Sequence, residues 1–252
     1  MADLQGRTAL VTGSSRGIGA AIAARFAAEG AAVVVHGRDH DAAATVCEQI
    51  TTAGGTAISV LADLTDHDQI EAMRARIERD LGPVDLLVAN AGGTPIAPGP
   101  VEDITAQGWH ASIDANLTAT FLTVKAFLPG MKDRHHGAII TMSSAAARRP
   151  TAASPIAYAA AKAAIEVLTR EIALQAGPFG VRVNCIAPET ILTERNRQQI
   201  PAPVQDQLRQ AHPIQRLGTP EDVADTALFL ASERSSWISA VTIDVAGGSV
   251  LA

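Results

Sequence analysis

Apolar residues occur along the chain in seven short continuous runs, separated by longer stretches in which apolar positions recur at helical spacing. Continuous apolar runs of this length predict parallel strands, because a strand covered on both faces needs apolar side chains in both directions. The predicted strands are Arg7–Thr12, Ala32–His36, Thr56–Leu61, Val84–Ala89, Ala138–Met142, Val181–Ala187 and Val241–Val245.

The stretches between these runs predict helices at Gly17–Glu29, Asp41–Ala53 and Asp66–Asp80, and further helices around 114–131 and 155–175. Alternation of strands and helices is typical of doubly wound α/β folds. We therefore expect a single-domain α/β fold over residues 1–252, a Rossmann-type doubly wound sheet of about seven parallel strands with helices on both faces. The polar, proline-containing stretch at 190–213 interrupts this alternation and predicts a substrate loop or lid.

Composition narrows the class of protein. The chain has 252 residues, of which 47% are hydrophobic, enough for one large buried core. A net charge of -6 argues against nucleic-acid binding. Cys47 and Cys185 lack metal-ligand spacing, so we expect two free thiols in a reducing compartment and no metal. No apolar run precedes Arg7 or reaches the length of a membrane span, which predicts a cytoplasmic protein without a signal peptide or membrane contact.

A glycine-rich turn follows the first predicted strand, in Thr12-Gly-Ser-Ser-Arg-Gly-Ile-Gly19. Glycines at 13, 17 and 19 allow a tight turn and a close approach of the backbone to a ligand. The helix that begins there directs its N-terminal amides toward the turn, an arrangement that binds phosphate. The spacing differs from the commoner Gly-x-Gly-x-x-Gly, but its position after the first strand predicts nucleotide binding.

Arg16 and Arg38 indicate which dinucleotide is bound. A ribose 2′-hydroxyl is typically held by an acidic residue at the end of the second strand, whereas a 2′-phosphate needs arginine. The second strand ends with Gly37 where the acid is expected, followed by Arg38. We therefore predict NADP(H); the alternative is that both arginines are solvated surface residues.

Two further strand ends carry candidate nucleotide contacts. Asp63 and Leu64 follow the third strand and are candidates for adenine binding, although Asp63 is equally typical of a helix N-terminal turn. Asn90-Ala-Gly-Gly93 ends the fourth strand, where small residues let the backbone approach a ligand. A simple glycine turn is the alternative there.

Candidate catalytic chemistry centres on Tyr158, the only tyrosine of the chain, which lies four residues before Lys162. On a helix this spacing places both side chains on one face. A phenol titrates near pH ~10, and a neighbouring cation favours the ionised form, so we expect Lys162 to make Tyr158 a usable proton donor and acceptor. An amphipathic helix with an interfacial tyrosine and a solvated lysine is the alternative.

Two polar residues are candidate partners of this pair. Asn116 lies within a helical pattern, where a side-chain amide competes with the backbone for hydrogen bonds and is unusual. One explanation is a helix distortion that places a water near Lys162. The alternative is that Asn116 is an ordinary polar helix residue. Ser144 ends the fifth strand, where its hydroxyl is suited to bind a substrate carbonyl. A serine at a strand end is also typical of a turn or cap.

Taken together, Thr12–Gly19, Asn90-Ala-Gly, Asn116, Ser144 and Tyr158-x-x-x-Lys162 resemble the short-chain dehydrogenase/reductase family along essentially the whole chain. Gly180–Pro188, Gly218–Ala224 and Asp244–Gly248 resemble its 3-oxoacyl-[acyl-carrier-protein] reductase-like branch. The resemblance implies a homotetramer and a catalytic set of Asn116, Ser144, Tyr158 and Lys162. It also implies an NADP(H) site formed by Gly13, Ser15, Arg16, Gly17, Ile18, Gly19, Arg38, Asp63, Leu64, Asn90, Ala91, Gly92, Tyr158, Lys162, Pro188, Ile191 and Thr193.

The sequence departs from the family pattern at three places. The interval from Ser144 to Tyr158 is one residue longer than usual, and Ser144 is preferred over Ser143 because it matches the second serine of the family pair. Glu189 replaces the usual glycine after Pro188 and places a carboxylate near the nicotinamide end. Ala246 replaces a common aspartate, a change that we expect to affect local packing only.

These features predict an NADPH-dependent oxidoreductase that transfers a hydride between the nicotinamide and a carbonyl or secondary alcohol. A 3-oxoacyl thioester, carrier-linked or CoA-linked, or a related small-molecule ketone is the leading substrate. Arg148 and Arg149 are candidates for attracting a phosphate or acidic carrier, the alternative being a solvated loop pair. Oxidation of a sugar or other secondary alcohol is a second hypothesis, and a non-catalytic NADP(H) sensor is the third.

Overall fold

The computed structural model describes residues 3–151 and 153–250 of the chain. Five residues that belong to the predicted domain lie outside the described residues: Met1, Ala2, Ala152, Leu251 and Ala252.

Seven parallel strands form one sheet in the order β3-β2-β1-β4-β5-β6-β7. The order reverses direction between β1 and β4, as expected for a doubly wound sheet. The predicted Rossmann-type fold is therefore confirmed. The strands are β1 (Thr8–Val11), β2 (Ala32–Gly37), β3 (Thr56–Leu61), β4 (Leu86–Ala89), β5 (Gly137–Met142), β6 (Val181–Pro188) and β7 (Thr242–Val245).

Helices connect the strands and cover both faces of the sheet. A π-helical turn at Asp114–Thr118 joins α4 to α5, and α7 and α8 lie within the 190–213 segment. The helices are α1 (Gly17–Ala28), α2 (His40–Thr52), α3 (His67–Leu81), α4 (Ala106–Ile113), α5 (Ala119–Asp133), α6 (Ile156–Ala176), α7 (Glu194–Gln199), α8 (Ala202–Ala211) and α9 (Pro220–Ala231).

The core consists of two apolar clusters, one on each face of the sheet. Ala9 and Val11 of β1 belong to the cluster covered by α1, α2 and α9, whereas Leu10 belongs to the cluster covered by α3, α5 and α6. Successive strand residues point to opposite faces, so a strand covered on both sides is apolar throughout. This two-sided burial is why the strands are continuous apolar runs in the sequence.

Because all strands are parallel, the segments after β1, β4, β5 and β6 emerge at the same edge of the sheet. Ligands of doubly wound folds bind at this carboxyl edge, where the strand order reverses. The described residues 3–151 and 153–250 contain no helix with the length and apolar character needed to cross a bilayer.

Candidate active site

The glycine turn after β1 packs too closely against its neighbours to accept side chains. Gly13 has a φ of +64°, and a Cβ there would lie 2.9 Å from the Cα of Ala91. A Cβ at Gly19 would lie 2.5 Å from the Gly13 carbonyl oxygen and 2.6 Å from Nδ2 of Asn90. Glycine at both positions therefore lets the β1 turn, the β4 end and the first turn of α1 meet.

Hydrogen bonds from β2 and β4 hold this turn in place. The Asn90 side-chain amide donates to the Thr12 and Gly13 carbonyl oxygens, at 2.9 and 3.2 Å. Nδ1 of His36 accepts from the Gly13 amide at 3.1 Å, and its Nε2 lies 3.1 Å from the Ala62 carbonyl oxygen. An imidazole that accepts at Nδ1 and donates at Nε2 is neutral, and burial lowers the pKa of His36 in agreement with that state.

Sequence reasoning missed His36, which is buried near the end of β2. The sequence feature that could have identified it is a histidine within an otherwise apolar strand. Its function in the fold is to hold the glycine turn from behind.

The N-terminus of α1 is uncapped by any side chain, in contrast to the neighbouring helices. Arg16 occupies its N-cap position without a side-chain hydrogen bond to the helix amides. Asp39 and Asp66 cap α2 and α3 through their carboxylates. The amides in the first turn of α1 therefore remain available to an anion at the carboxyl edge of the sheet.

Arg16 and Arg38, the two arginines predicted to select the nucleotide, are both exposed. Arg16 forms an exposed ion pair with Asp39, its guanidinium nitrogen 2.7 Å from the carboxylate. Gly37 lies beside Ser15, since a Cβ at Gly37 would approach the serine Oγ to 2.9 Å. Asp63, predicted as either an adenine contact or part of a helix-terminal turn, accepts hydrogen bonds from the Thr65 amide and hydroxyl at 2.9 and 2.7 Å.

Tyr158 and Lys162 lie on one face of α6, with Nζ of Lys162 5.5 Å from the centroid of the Tyr158 ring. The lysine is buried, with 4% of its surface exposed. Its Nζ donates to the Met142 carbonyl oxygen at 2.8 Å. Lys162 is thus a fixed element of the site, and the solvated lysine considered from the sequence is wrong.

Burial shifts the pKa values of both groups. Desolvation lowers the pKa of Lys162 from 10.5 to about 8. Desolvation also raises the pKa of Tyr158, and interaction with the Ser144 hydroxyl lowers it by less. The net shift of Tyr158 is opposite to the one predicted from the neighbouring ammonium, because the burial that brings the two groups together also disfavours the phenolate.

Asn116 lies in the π-helical turn at Asp114–Thr118, so the helix distortion predicted at this residue is present. Its Nδ2 donates to the carbonyl oxygens of Ser112 and Gly93, both at 2.8 Å, and its Oδ1 accepts from the Gly93 amide at 3.1 Å. π-Helical turns often occur at functional sites. Asn116 ties the distorted helix to the segment that follows β4.

The two serines at the end of β5 face different neighbours. Ser143 is buried and its hydroxyl lies 2.9 Å from Oε1 of Glu166 on α6. Ser144 lies next to Tyr158 and its Oγ accepts from the Ala146 amide at 3.2 Å. This geometry is consistent with the choice of Ser144 over Ser143 as the residue that faces a substrate.

Arg148 and Arg149, four and five residues after Ser144, are occupied by contacts within the chain. The Arg148 guanidinium pairs with Glu166 at 3.2 Å and with Asp244 at 2.8 Å. Arg149 donates to the Ser249 carbonyl oxygen at 3.0 Å. Both earlier interpretations, a free phosphate site and a solvated pair, are therefore wrong for Arg148.

A cleft of about 890 Å³ joins these parts along the carboxyl edge. Six predicted residues lie outside its lining: Ser15, Arg38, Asp63, Leu64, Ala91 and Asn116. The predicted residues that line it are Gly13, Arg16, Gly17, Ile18, Gly19, Asn90, Gly92, Ser144, Tyr158, Lys162, Pro188, Ile191 and Thr193. The cleft thus brings the glycine turn and the Ser144, Tyr158 and Lys162 side chains to one surface.

The lowered pKa of Lys162 means that burial of its ammonium lowers the free energy of unfolding. This destabilisation is complete below about pH 8, where the folded protein holds the charged form, and it disappears as pH rises toward 10.5. Lys162→Met is expected to raise the free energy of unfolding at pH 7 by up to about 3 kcal/mol. The gain should shrink above pH ~8 in urea unfolding curves. The exposed Lys125→Met is the control, and a gain independent of pH would contradict the assignment.

Residues 13–249 match the family model described as enoyl-(acyl carrier protein) reductase. The 7α-hydroxysteroid dehydrogenase of Escherichia coli (strain K12) is 37% identical over 247 residues, covering 98% of this chain and 95% of that protein.

Two solved structures share the fold. A 3-oxoacyl-[acyl-carrier protein] reductase from Brucella melitensis has a TM-score of 0.93 and 35% identity, covering 99% of this chain and 93% of that one. A gluconate 5-dehydrogenase from Burkholderia cenocepacia J2315, in complex with NADP and tartrate, has a TM-score of 0.90 and 33% identity, covering 98% and 96%. The chain belongs to the short-chain dehydrogenase/reductase family, in its 3-oxoacyl-[acyl-carrier-protein] reductase-like branch.

Proposed function

We propose that residues 1–252 form a single NADP(H)-binding catalytic domain that transfers a hydride between the nicotinamide and a carbonyl or secondary alcohol carbon. The observation that supports this most directly is that Ser144, Tyr158 and Lys162 line the same cleft as the glycine turn. An acid, its neighbouring cation and a hydroxyl thus face one space with an anion-binding helix terminus. The 190–213 segment, which contributes Ile191 and Thr193 to this cleft, serves as its lid.

The described residues fit a dinucleotide. The uncapped α1 terminus and the glycines that exclude side chains at 13 and 19 suit a pyrophosphate. When bound, the nicotinamide supplies the hydride chemistry, and the protein supplies position and electrostatics. The residues proposed to hold it are Gly13, Ser15, Arg16, Gly17, Ile18 and Gly19 at the phosphates; Asp63, Leu64, Asn90, Ala91 and Gly92 at the adenosine; and Tyr158, Lys162, Pro188, Ile191 and Thr193 at the nicotinamide end.

NADP(H) is the proposed cofactor because of the end of β2. Gly37 lies where an acidic residue for a ribose 2′-hydroxyl is expected, and it offers no carboxylate; a Cβ there would lie 2.9 Å from the Ser15 hydroxyl oxygen. Arg38 follows directly and is exposed. A guanidinium fork suits a phosphate dianion. Arg16 is the weaker candidate, since Asp39 already pairs with it.

The protonation state of Tyr158 at neutral pH suits the reduction of a carbonyl. Burial raises the pKa of Tyr158, so its phenol stays protonated and is ready to donate a proton to a developing alkoxide. Alcohol oxidation needs the phenolate, which the same burial disfavours. Lys162 holds a neighbouring positive charge below about pH 8, and Ser144 polarises the substrate oxygen, while Asn116 supports proton delivery from the distorted helix.

A 3-oxoacyl thioester or a related ketone is the proposed substrate. Because Arg148 is paired with Glu166 and Asp244, recognition of an acidic carrier through this guanidinium is not supported. A sugar or other secondary alcohol is the second candidate, favoured by the gluconate dehydrogenase and hydroxysteroid dehydrogenase relatives. The same four residues serve either substrate.

We also propose a homotetramer. The outer faces of α5 and α6 expose large apolar side chains, with Phe121, Val167 and Leu174 exposed by 46%, 51% and 76%. Exposed apolar surfaces on adjacent helices are typical of protein interfaces. These two helices are the surfaces that we expect a second copy of the chain to cover.

Tyr158→Phe is expected to lower kcat/KM for carbonyl reduction by roughly 10²–10⁴, because it removes the proton donor and leaves the ring in place. Oxidation of NADPH and NADH would be followed against 3-oxoacyl thioesters, diketones and sugars. Nucleotide binding, measured by calorimetry, should be nearly unchanged. Turnover that survives in Tyr158→Phe rules out the proposed acid, and nucleotide binding without turnover of any substrate by the wild type favours the sensor.

Arg38→Leu is expected to raise the KM for NADPH by roughly tenfold to hundredfold, since a charge-assisted hydrogen bond to the 2′-phosphate is lost. The KM for NADH should change little. Arg16→Leu is the comparison variant: it should raise the KM for NADPH by less, because Arg16 is already paired with Asp39 and the 2′-phosphate is assigned to Arg38. Wild-type enzyme that uses NADH and NADPH equally well would contradict the cofactor assignment.

A further inference from the structure

Glu189, the residue that replaces the family glycine after β6, is a point of contact between three segments. Its Oε2 accepts from the Thr190 amide and lies 2.6 Å from Nε2 of His212, at the end of α8. Its Oε1 lies 3.7 Å from the Arg149 guanidinium, in the segment that follows Ser144. One carboxylate therefore joins the strand edge at the nicotinamide end, the Ser144 segment and the far end of the 190–213 segment.

Both ring nitrogens of His212 face hydrogen-bond acceptors. Nδ1 lies 2.6 Å from the Leu208 carbonyl oxygen, and Nε2 lies 2.6 Å from the Glu189 carboxylate. Carbonyl and carboxylate oxygens both accept, and an imidazole carries a hydrogen on at least one ring nitrogen. The carboxylate is the stronger acceptor of the two. The contact at 2.6 Å is therefore a hydrogen bond that Nε2 donates to Oε2.

The 190–213 segment has little else to hold it in place. No residue from Leu192 to Ala211 is buried, and neither α7 nor α8 contains a buried side chain. His212, with 4% of its surface exposed, is the only buried residue between Leu192 and Pro213. Segments with few buried contacts open at low free-energy cost. The position of α8 therefore depends strongly on this one side chain.

The start of the segment lies against the glycine turn. A Cβ at Gly17 would come 3.3 Å from Cγ2 of Thr193, and Ile191 forms a parallel bridge with Gly218. The far end is fixed at Gly247, whose carbonyl oxygen accepts from the Ile214 amide at 3.0 Å. Between these points, the hydrogen bond of His212 with Glu189 is the only one in the described residues that joins residues 194–212 to a part of the chain outside the 190–213 segment.

We propose that Glu189 and His212 form a hydrogen-bonded latch that holds the 190–213 segment closed over the cleft. With the hydrogen bond between Nε2 and Oε2 in place, α8 stays docked. When this contact breaks, no other hydrogen bond joins α7 or α8 to a part of the described chain outside the 190–213 segment, and the segment opens. The inference rests on the proposed function only in taking this segment to cover a bound nucleotide and substrate. Both residues are positioning residues.

The charged groups around the latch are paired, one of them with Glu189 itself. Arg149 approaches Glu189 from the Ser144 segment. Asp244 on β7 is already paired with Arg148, and Arg216 with Asp222 of α9 through two contacts of 2.6 and 2.7 Å. Ala246, the position where the family commonly has aspartate, lines the same small cavity of about 260 Å³ as Glu189 and His212. Two positions that depart from the family pattern thus border one cavity.

Hydrogen–deuterium exchange of residues 194–211 in the nucleotide-free protein tests the latch without any need for turnover. In Glu189→Ala and His212→Ala these residues should exchange roughly tenfold or more faster than in the wild type. Glu189→Gln should keep nearly wild-type protection, because its side-chain carbonyl oxygen still accepts from Nε2.

His40→Ala is the matched control, since His40 forms an exposed contact with Asp41 at 3.0 Å away from the segment. In steady-state kinetics, Glu189→Ala should raise the KM for the nucleotide more than it lowers kcat. Wild-type protection in Glu189→Ala or His212→Ala, or a loss of protection in Glu189→Gln as large as in Glu189→Ala, would overturn the latch. An inactive wild-type enzyme with the expected exchange pattern would instead contradict the proposed function and leave the latch standing.

Discussion

Burial of the Lys162 ammonium is the constraint around which the site is arranged. A buried charge is costly unless polar groups approach it closely, and only backbone and small side chains leave room for that approach. A Cβ at Gly92 would lie 3.4 Å from Nζ and 2.6 Å from Oδ1 of Asn116, so glycine at this position leaves room for both side chains. The Met142 carbonyl supplies the hydrogen bond. Burial of the ammonium lowers the stability of the fold, and it places the positive charge beside Tyr158.

Much of the fold was predictable because burial on both faces leaves a strong local pattern. The β1 residues Ala9, Leu10 and Val11 are apolar in sequence since each faces one of the two cores. The glycine turn was predictable for a similar reason, as the close approach at Gly19 restricts the residue type directly. In both cases a local physical requirement acts on neighbouring positions, so it can be read without knowing the rest of the structure.

Features that depend on distant neighbours were not predictable. His212 and Glu189 are separated by 23 positions, and nothing in their spacing indicates a contact. Arg148 and Asp244 are 96 positions apart, so the arginine looked free or solvated from the sequence. The prediction that the pKa of Tyr158 is lowered was wrong for the same reason. The spacing on the helix indicates the nearby cation, but it does not indicate how deeply the phenol is buried.

His36 makes the stability of the glycine turn after β1 depend on pH. The turn is held by a neutral imidazole that accepts from the Gly13 amide, and burial lowers the pKa of that imidazole below 6.5. As pH falls through 6.5, the unfolded chain takes up a proton that the folded chain resists, so the fold loses stability. When the imidazole does become charged, it no longer accepts at Nδ1. The acid tolerance of the protein is therefore built into the scaffold behind the phosphate turn, independently of any group that reacts.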